Sequence, residues 1–205
     1  MVDKTFTDEL ASAAPTPGGG GASAYAGALA AALASMVCNL TAGKPAFADV
    51  DDELRHILNR VDSCREELLA LIDGDAAAFA EISKTWKMPK ETDEQKAERN
   101  AATQKALVSA CEVPLRIMRT CAKIIELNGF LVKNCSKLVL SDVGASAILA
   151  KGALQAAALN VYINTTLMDN KTRADAYEFE ADDLARNFTL KADEIYDAVN
   201  ARIRR

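Results

Sequence analysis

Four consecutive glycines, Gly18 to Gly21, follow Pro15-Thr16-Pro17 and lead into a run of alanines. Glycines at a helix entrance let a ligand approach backbone N–H groups that have no partner inside the helix, where the helix dipole is positive. Such a place suits an anion or a carbonyl oxygen. No Gly-Lys-[Ser/Thr] follows at phosphate-loop spacing and no strand pattern precedes, so neither nucleotide motif applies. The plainer reading is a turn that joins two helices. Ser141-Asp142-Val143-Gly144 is the second constellation. Ser141 reads as an N-cap and Asp142 as a first-turn acid whose charged form the dipole favours, which is also what simple capping would require. The helical stripe of Asp142 continues through Ser146, Ala153, Ala157, Asn160 and Asn164. Small and amide side chains in a line would need a ligand or a partner if buried. At helical rise Asp142 and Asn160 lie ~27 Å apart, so only a two-fold partner or an extended ligand could join them.

Helices must position these residues. Phe6 and Leu10 share a face of a short helix over 5–13, which Pro15 stops. A second helix over 22–41 has a small stripe (Ser23, Gly27, Ala30, Ala34, Cys38) and a larger one (Tyr25, Leu29, Leu33, Met36, Leu40). Apolar spacing predicts further helices over 51–86, from the charged stretch 90–100 through Pro114 to Asn128-Gly129, over 130–140, 142–168 and 173–205. With no strand pattern, linker or repeat, the chain reads as an all-α, single-domain bundle of roughly seven helices. The unpartnered small-residue stripes predict a two-fold homodimer.

Composition narrows the function. With 24 Lys and Arg against 29 Asp and Glu, the net charge of −5 argues against nucleic acid or an anionic membrane as partner. Any anionic ligand must then find a local cationic or helix-end site. Five cysteines without a CxxC pair read as reduced core thiols of a cytoplasmic protein. His56 is the only imidazole and sits among charged residues, so no metal site is expected. The uncharged run 18–39 is Ala- and Gly-rich rather than bulky, which argues against a membrane span, and the acidic start argues against a signal peptide.

Pro15-Thr16-Pro17-Gly18-Gly19-Gly20, the segment Met36 to Lys44, and Ser141-Asp142-Val143-Gly144 followed by Ala158-Leu159-Asn160-Val161-Tyr162-Ile163-Asn164 resemble the cyclodeaminase/cyclohydrolase family. The resemblance spans nearly the whole chain. It departs at Gly21, where a Ser commonly ends the glycine run, and at Pro45-Ala46-Phe47, where basic residues and a Tyr often follow Gly-Lys. It implies an all-helical fold, a dimeric unit and a tetrahydrofolate derivative bound near subunit contacts, as substrate rather than as a tightly held cofactor.

On that resemblance the reaction passes through a tetrahedral carbon between N5 and N10, and the protein must hold both ends of the folate and move protons. Asp142 is the expected proton carrier. Lys44 is expected to contact the folate carboxylates or tune the acid. Pro17, Gly18, Gly19, Gly20, Ser23, Asn39, Ser141, Asn160 and Asn164 are the expected substrate-binding residues. No formiminotransferase segment accompanies the domain in this chain, which favours a cyclohydrolase over a formiminotetrahydrofolate cyclodeaminase. A non-catalytic helical dimer module is the rival of a different class.

Overall fold

The structure is a computed structural model and describes residues 4–204. It contains α1 (Thr5–Leu10), α2 (Gly19–Thr41), α3 (Asp51–Trp86), α4 (Asp93–Leu131), α5 (Leu140–Thr165) and α6 (Lys171–Ile203). Short 3₁₀ segments, Pro45–Val50 and Lys137–Val139, precede α3 and α5, and no strand occurs among the described residues.

The core forms where α2 and α5 pack on each other and on α3, α4 and α6. The small stripe of α2 makes this possible: Ser23, Gly27, Ala30, Ala34 and Cys38 are all buried. A Cβ on Gly27 would sit 2.9 Å from Cys121 Sγ and 3.1 Å from Leu68 Cδ1. Only a residue without a side chain lets α2 meet α3 and α4 this closely. The stripe expected to seek a second chain therefore finds its partners within its own. The same holds on α5, where Ser146, Ala153 and Ala157 are buried. Ser146 Oγ donates to Ala30 O at 2.7 Å and accepts from Asn128 Nδ2 at 2.7 Å, a polar chain that ties α2, α4 and α5 inside the core.

Several expected boundaries move. The second helix begins at Gly19 rather than at residue 22, so three of the four glycines lie inside it. α4 runs past Asn128-Gly129 because Asn128 is a buried core residue bonded to Ser146, not a helix end. The separate helix expected over 130–140 is replaced by the end of α4, a turn and a 3₁₀ segment opened by Ser136, whose Oγ accepts from Leu138 N. α5 starts at Leu140 with Val139 in the N-cap position, and Ser141 stands exposed in its first turn rather than capping it. α6 begins at Lys171, where the Asn170 side chain accepts from Arg173 N. Its expected last residue, Arg205, lies outside the described residues.

Among the described residues two helical stretches are long and apolar enough to cross a membrane, Gly19–Thr41 and Lys137–Thr165, and 61% and 50% of their most apolar windows are buried in the bundle. All five cysteines are buried and free. Burial pushes the thiols of Cys38 and Cys111 up to about 12, so they stay protonated and unreactive at neutral pH.

Candidate active site

α2 starts without a side-chain cap of its own. Gly18, in extended backbone, holds the N-cap position after a cis Thr16–Pro17 bond, and Gly19 is the first helical residue. A carboxylate from α3 takes over the capping: Gly21 N–H donates to Asp75 Oδ2 at 3.0 Å. The N–H groups of Gly19 and Gly20 carry no acceptor among the described residues. Asp75 lies so close to this turn that a Cβ on Gly20 would overlap its carboxylate. Glycine at position 20 is what allows the acid to press against the helix entrance.

Around this junction is a cavity of ≈230 Å³, lined by Pro15, Thr16 and Gly18–Gly20 on one side and by α3, α4 and α5 on the others. α3 contributes Asp75, Ala78, Phe79 and Ile82. α4 contributes Ala110, and α5 contributes Asn160 and Asn164. Asn164 Nδ2 donates to Ala110 O at 2.8 Å and to Asn160 O at 2.7 Å, and Asn160 Nδ2 donates to Ala156 O at 3.0 Å. With both amide nitrogens engaged by backbone, both Oδ1 atoms are left as acceptors at the cavity. The Ala110 carbonyl is available because the residue four positions on is Pro114, which has no N–H to return to it.

Asp75 is the one titratable side chain in this lining. Burial beside Phe79 and Ile82 raises its pKa above the ordinary carboxylate value, and the Gly21 N–H offsets part of that rise. An acid held closer to neutrality, next to free N–H donors and fixed amide acceptors, can take up and return a proton on a molecule held in the cavity.

Among the residues expected from sequence, Gly18, Gly19, Gly20, Asn160 and Asn164 meet here. Pro17 packs behind the cavity, its Cβ 3.4 Å from where a Cβ on Gly21 would lie. Ser23 is turned back into its own helix, Oγ donating to Gly19 O at 2.6 Å. Asn39 is exposed near the far end of α2, ~30 Å from Gly19 at helical rise. Lys44 is exposed in a separate hollow with Pro45, Ala48, Asp51 and Asp52, so it faces two acids rather than the cavity. Ser141 and Asp142 occupy the first turn of α5, at the opposite end from Asn160 and Asn164. Within one chain neither Asp142 nor Lys44 reaches the cavity, because continuous helices hold both apart from it. Asp75 was missed, although a signal was present: it interrupts the inward series Leu68, Leu71, Ile72, Phe79, Ile82 at helical spacing. Among the described residues no cluster of three His, Cys, Asp or Glu could hold a metal ion.

Fold and cavity together define a helical-bundle protein with a polar cavity built where a glycine-opened helix meets a half-buried carboxylate. The family model described as formiminotransferase-cyclodeaminase matches residues 3–183, and the chain belongs to that family. It is 40% identical over 98% of its length to the methenyltetrahydrofolate cyclohydrolase of Methylorubrum extorquens, covering 96% of that protein. It is 29% identical over 97% of its length to the formimidoyltransferase-cyclodeaminase of Rattus norvegicus but spans only 37% of that longer relative. The solved formiminotetrahydrofolate cyclodeaminase of Thermotoga maritima superposes with a TM-score of 0.82 at 26% identity, over 100% of this chain and 96% of that one.

Proposed function

We propose that this chain is a methenyltetrahydrofolate cyclohydrolase in which Asp75 carries the proton. The observation that supports this reading is the half-buried Asp75 carboxylate, raised in pKa and seated against the open start of α2. Likeness over nearly the whole length of both chains to the cyclohydrolase of Methylorubrum extorquens supports the substrate assignment.

The substrate's methenyl carbon lies in a cationic N5–C–N10 unit, which an ionised carboxylate attracts. Water adds to that carbon while Asp75 takes one of its protons, giving a neutral tetrahedral carbinolamine. As the C–N5 bond breaks, Asp75 returns the proton to N5. The hydroxyl proton leaves to solvent and a formyl group remains on N10, so one water is consumed and one proton released. The free N–H groups of Gly19 and Gly20 suit a carbonyl oxygen of the pterin, and the Oδ1 atoms of Asn160 and Asn164 suit its N–H groups.

Cyclodeaminase chemistry is the second reading, favoured by the Thermotoga maritima likeness. There N10 attacks the formimino carbon on N5 and its proton passes to the formimino nitrogen; a second proton, from Asp75, reaches that nitrogen as the C–N bond breaks, so ammonia leaves and the methenyl cation remains. The test is loss of methenyl absorbance on methenyltetrahydrofolate, corrected for spontaneous hydrolysis, beside ammonia release from formiminotetrahydrofolate. Faster turnover of the methenyl substrate upholds the cyclohydrolase, faster ammonia release the cyclodeaminase, and no turnover of either overturns both. The reading includes a cytoplasmic homodimer that needs no tightly bound cofactor. Exposed Leu29, Met36 and Leu40 on α2 and Leu159 and Ile163 on α5 supply an apolar surface for the second subunit.

A further inference from the structure

The chain carries a net charge of −5, yet a hollow of ≈420 Å³ between α3 and α4 gathers cations that no carboxylate claims. His56, Asn59, Arg60 and Ser63 follow one another at helical spacing on α3, and Lys123 and Leu127, one turn apart on α4, form the opposite wall. Cys64 and Leu127, both buried, give it an apolar floor. Arg55 and Arg65, on either side of Arg60 along α3, pair with Asp51 and Asp62, whereas Arg60 has no ion pair among the described residues. Glu67 is the one acid in the wall and is already engaged: Arg116 Nη2 donates to its Oε1 at 3.0 Å and Thr120 Oγ1 to its Oε2 at 3.1 Å. Lys123 Nζ stands 4.0 Å from the same carboxylate, beyond hydrogen-bond range. The two cations converge on the floor, for burial raises the pKa of the Cys64 thiol while Lys123 from α4 and Arg60 from α3 both pull it down.

Two uncommitted cations from different helices, with an imidazole beside them, offer more donors than one carboxylate can use and match a dianion. The volume falls in the range of small-molecule sites and leaves room beyond a bare ion. That room is bordered by the Asn59 amide and by Ser63, whose Oγ donates to Asn59 O at 2.9 Å and keeps its lone pairs, which suits a small hydroxylated body. We propose that this hollow is a second binding site, separate from the Asp75 cavity, for an organic phosphate monoester whose phosphoryl group is held between Arg60 and Lys123. Arg60 precedes Asp75 by fifteen residues on α3, ~22 Å at helical rise. The inference does not depend on the folate reading.

The experiment is titration calorimetry on the full chain in phosphate-free buffer, with ribose 5-phosphate, inorganic phosphate and ribose as probes. Ribose 5-phosphate should saturate with a Kd below about 1 mM, several-fold tighter than inorganic phosphate, and ribose should show no saturable binding. Arg60→Glu and Lys123→Glu should each weaken ribose 5-phosphate at least about tenfold. Arg60→Gln and Lys123→Gln remove the charge without reversing it and should weaken it less. Lys133→Glu, the same charge reversal at an exposed position just beyond the far end of α4, should bind as the parent does. Turnover of the methenyl substrate by Arg60→Glu should stay within a few-fold of the parent. No saturable binding in the parent, an ester no tighter than inorganic phosphate, or equal losses with Lys133→Glu overturns the site. A rise of about tenfold in KM for the methenyl substrate in Arg60→Glu also overturns it, by joining the hollow to the Asp75 cavity. A chain that binds ribose 5-phosphate as described but turns over no folate upholds the site while the folate reading falls.

Discussion

The residue on which the proposed chemistry turns is Asp75, and its environment yields linked expectations about rate and stability. Asp75→Asn keeps an oxygen to accept the Gly21 N–H but removes the ionisable group. Turnover of the methenyl substrate should fall by roughly two to four orders of magnitude. Asp142→Asn, at the other end of α5, should stay within a few-fold of the parent, and the reverse pattern would move the acid to α5. As a base, Asp75 must be ionised, so kcat/KM should rise with pH through a pKa above the ordinary carboxylate value, and the Asn variant should lack that limb. The folded pKa is raised, so the folded form binds the proton more tightly than the unfolded one. The stability this confers is present below the unfolded pKa and is lost as pH rises through the folded pKa. Above that window the Asn variant should melt no lower than the parent, which thermal scans at acidic and neutral pH would show.

Two helix-level features decide whether that carboxylate is held in place. Gly20→Ala would drive a methyl into the Asp75 carboxylate. Displacing a catalytic group by about 1 Å costs on the order of 10²-fold in rate, so turnover should drop about that far while circular dichroism still reports helix. Gly27→Ala instead overpacks the contact with Cys121 and Leu68, and should lose about 1–3 kcal/mol in denaturant unfolding with little change in KM. The helices themselves were legible because Ala and Leu recur at helical spacing from one end of the chain to the other. Asn160 and Asn164, which line the cavity, stood out because an amide stripe on a small-residue helix is costly without partners. Asp75 was hidden by its charged neighbours: α3 carries acids along most of its length, and only the register of one of them separates a solvated residue from a buried one. Asp142 is ambiguous for a different reason, since a first-turn acid has the same sequence appearance whether it caps or catalyses.

At the scale of the molecule, the buried chain Asn128–Ser146–Ala30 fixes how α4, α5 and α2 sit against one another, and Asn128 Oδ1 already lacks a partner. Ser146→Ala would orphan the Asn128 amide as well. A loss of about 1–3 kcal/mol is expected in equilibrium unfolding. The outer face behaves differently. Leu159→Glu and Ile163→Glu change exposed positions, so they should leave the melting temperature of a monomer nearly unaltered and, on the homodimer reading, shift the mass in light scattering from two chains to one. The sequence showed that apolar stripes existed, but which stripe faces inward depended on how closely the helices could approach, and Gly27 settles that only in three dimensions.

Pro114 disturbs α4 little, yet it withholds a rival N–H from the Ala110 carbonyl, which accepts from Asn164 across the helix boundary. The amide's handedness, nitrogen anchored and oxygen outward, is thus guaranteed by an imino acid that never touches the cavity. Pro114→Ala would give that oxygen two suitors, its own helix and α5. The helix would gain a rung and the protein would melt later, while Asn164 would be freer to swap its ends and KM would rise with kcat held. A thermal gain paired with looser substrate selection would reveal a ladder left deliberately incomplete, its missing rung lent to recognition.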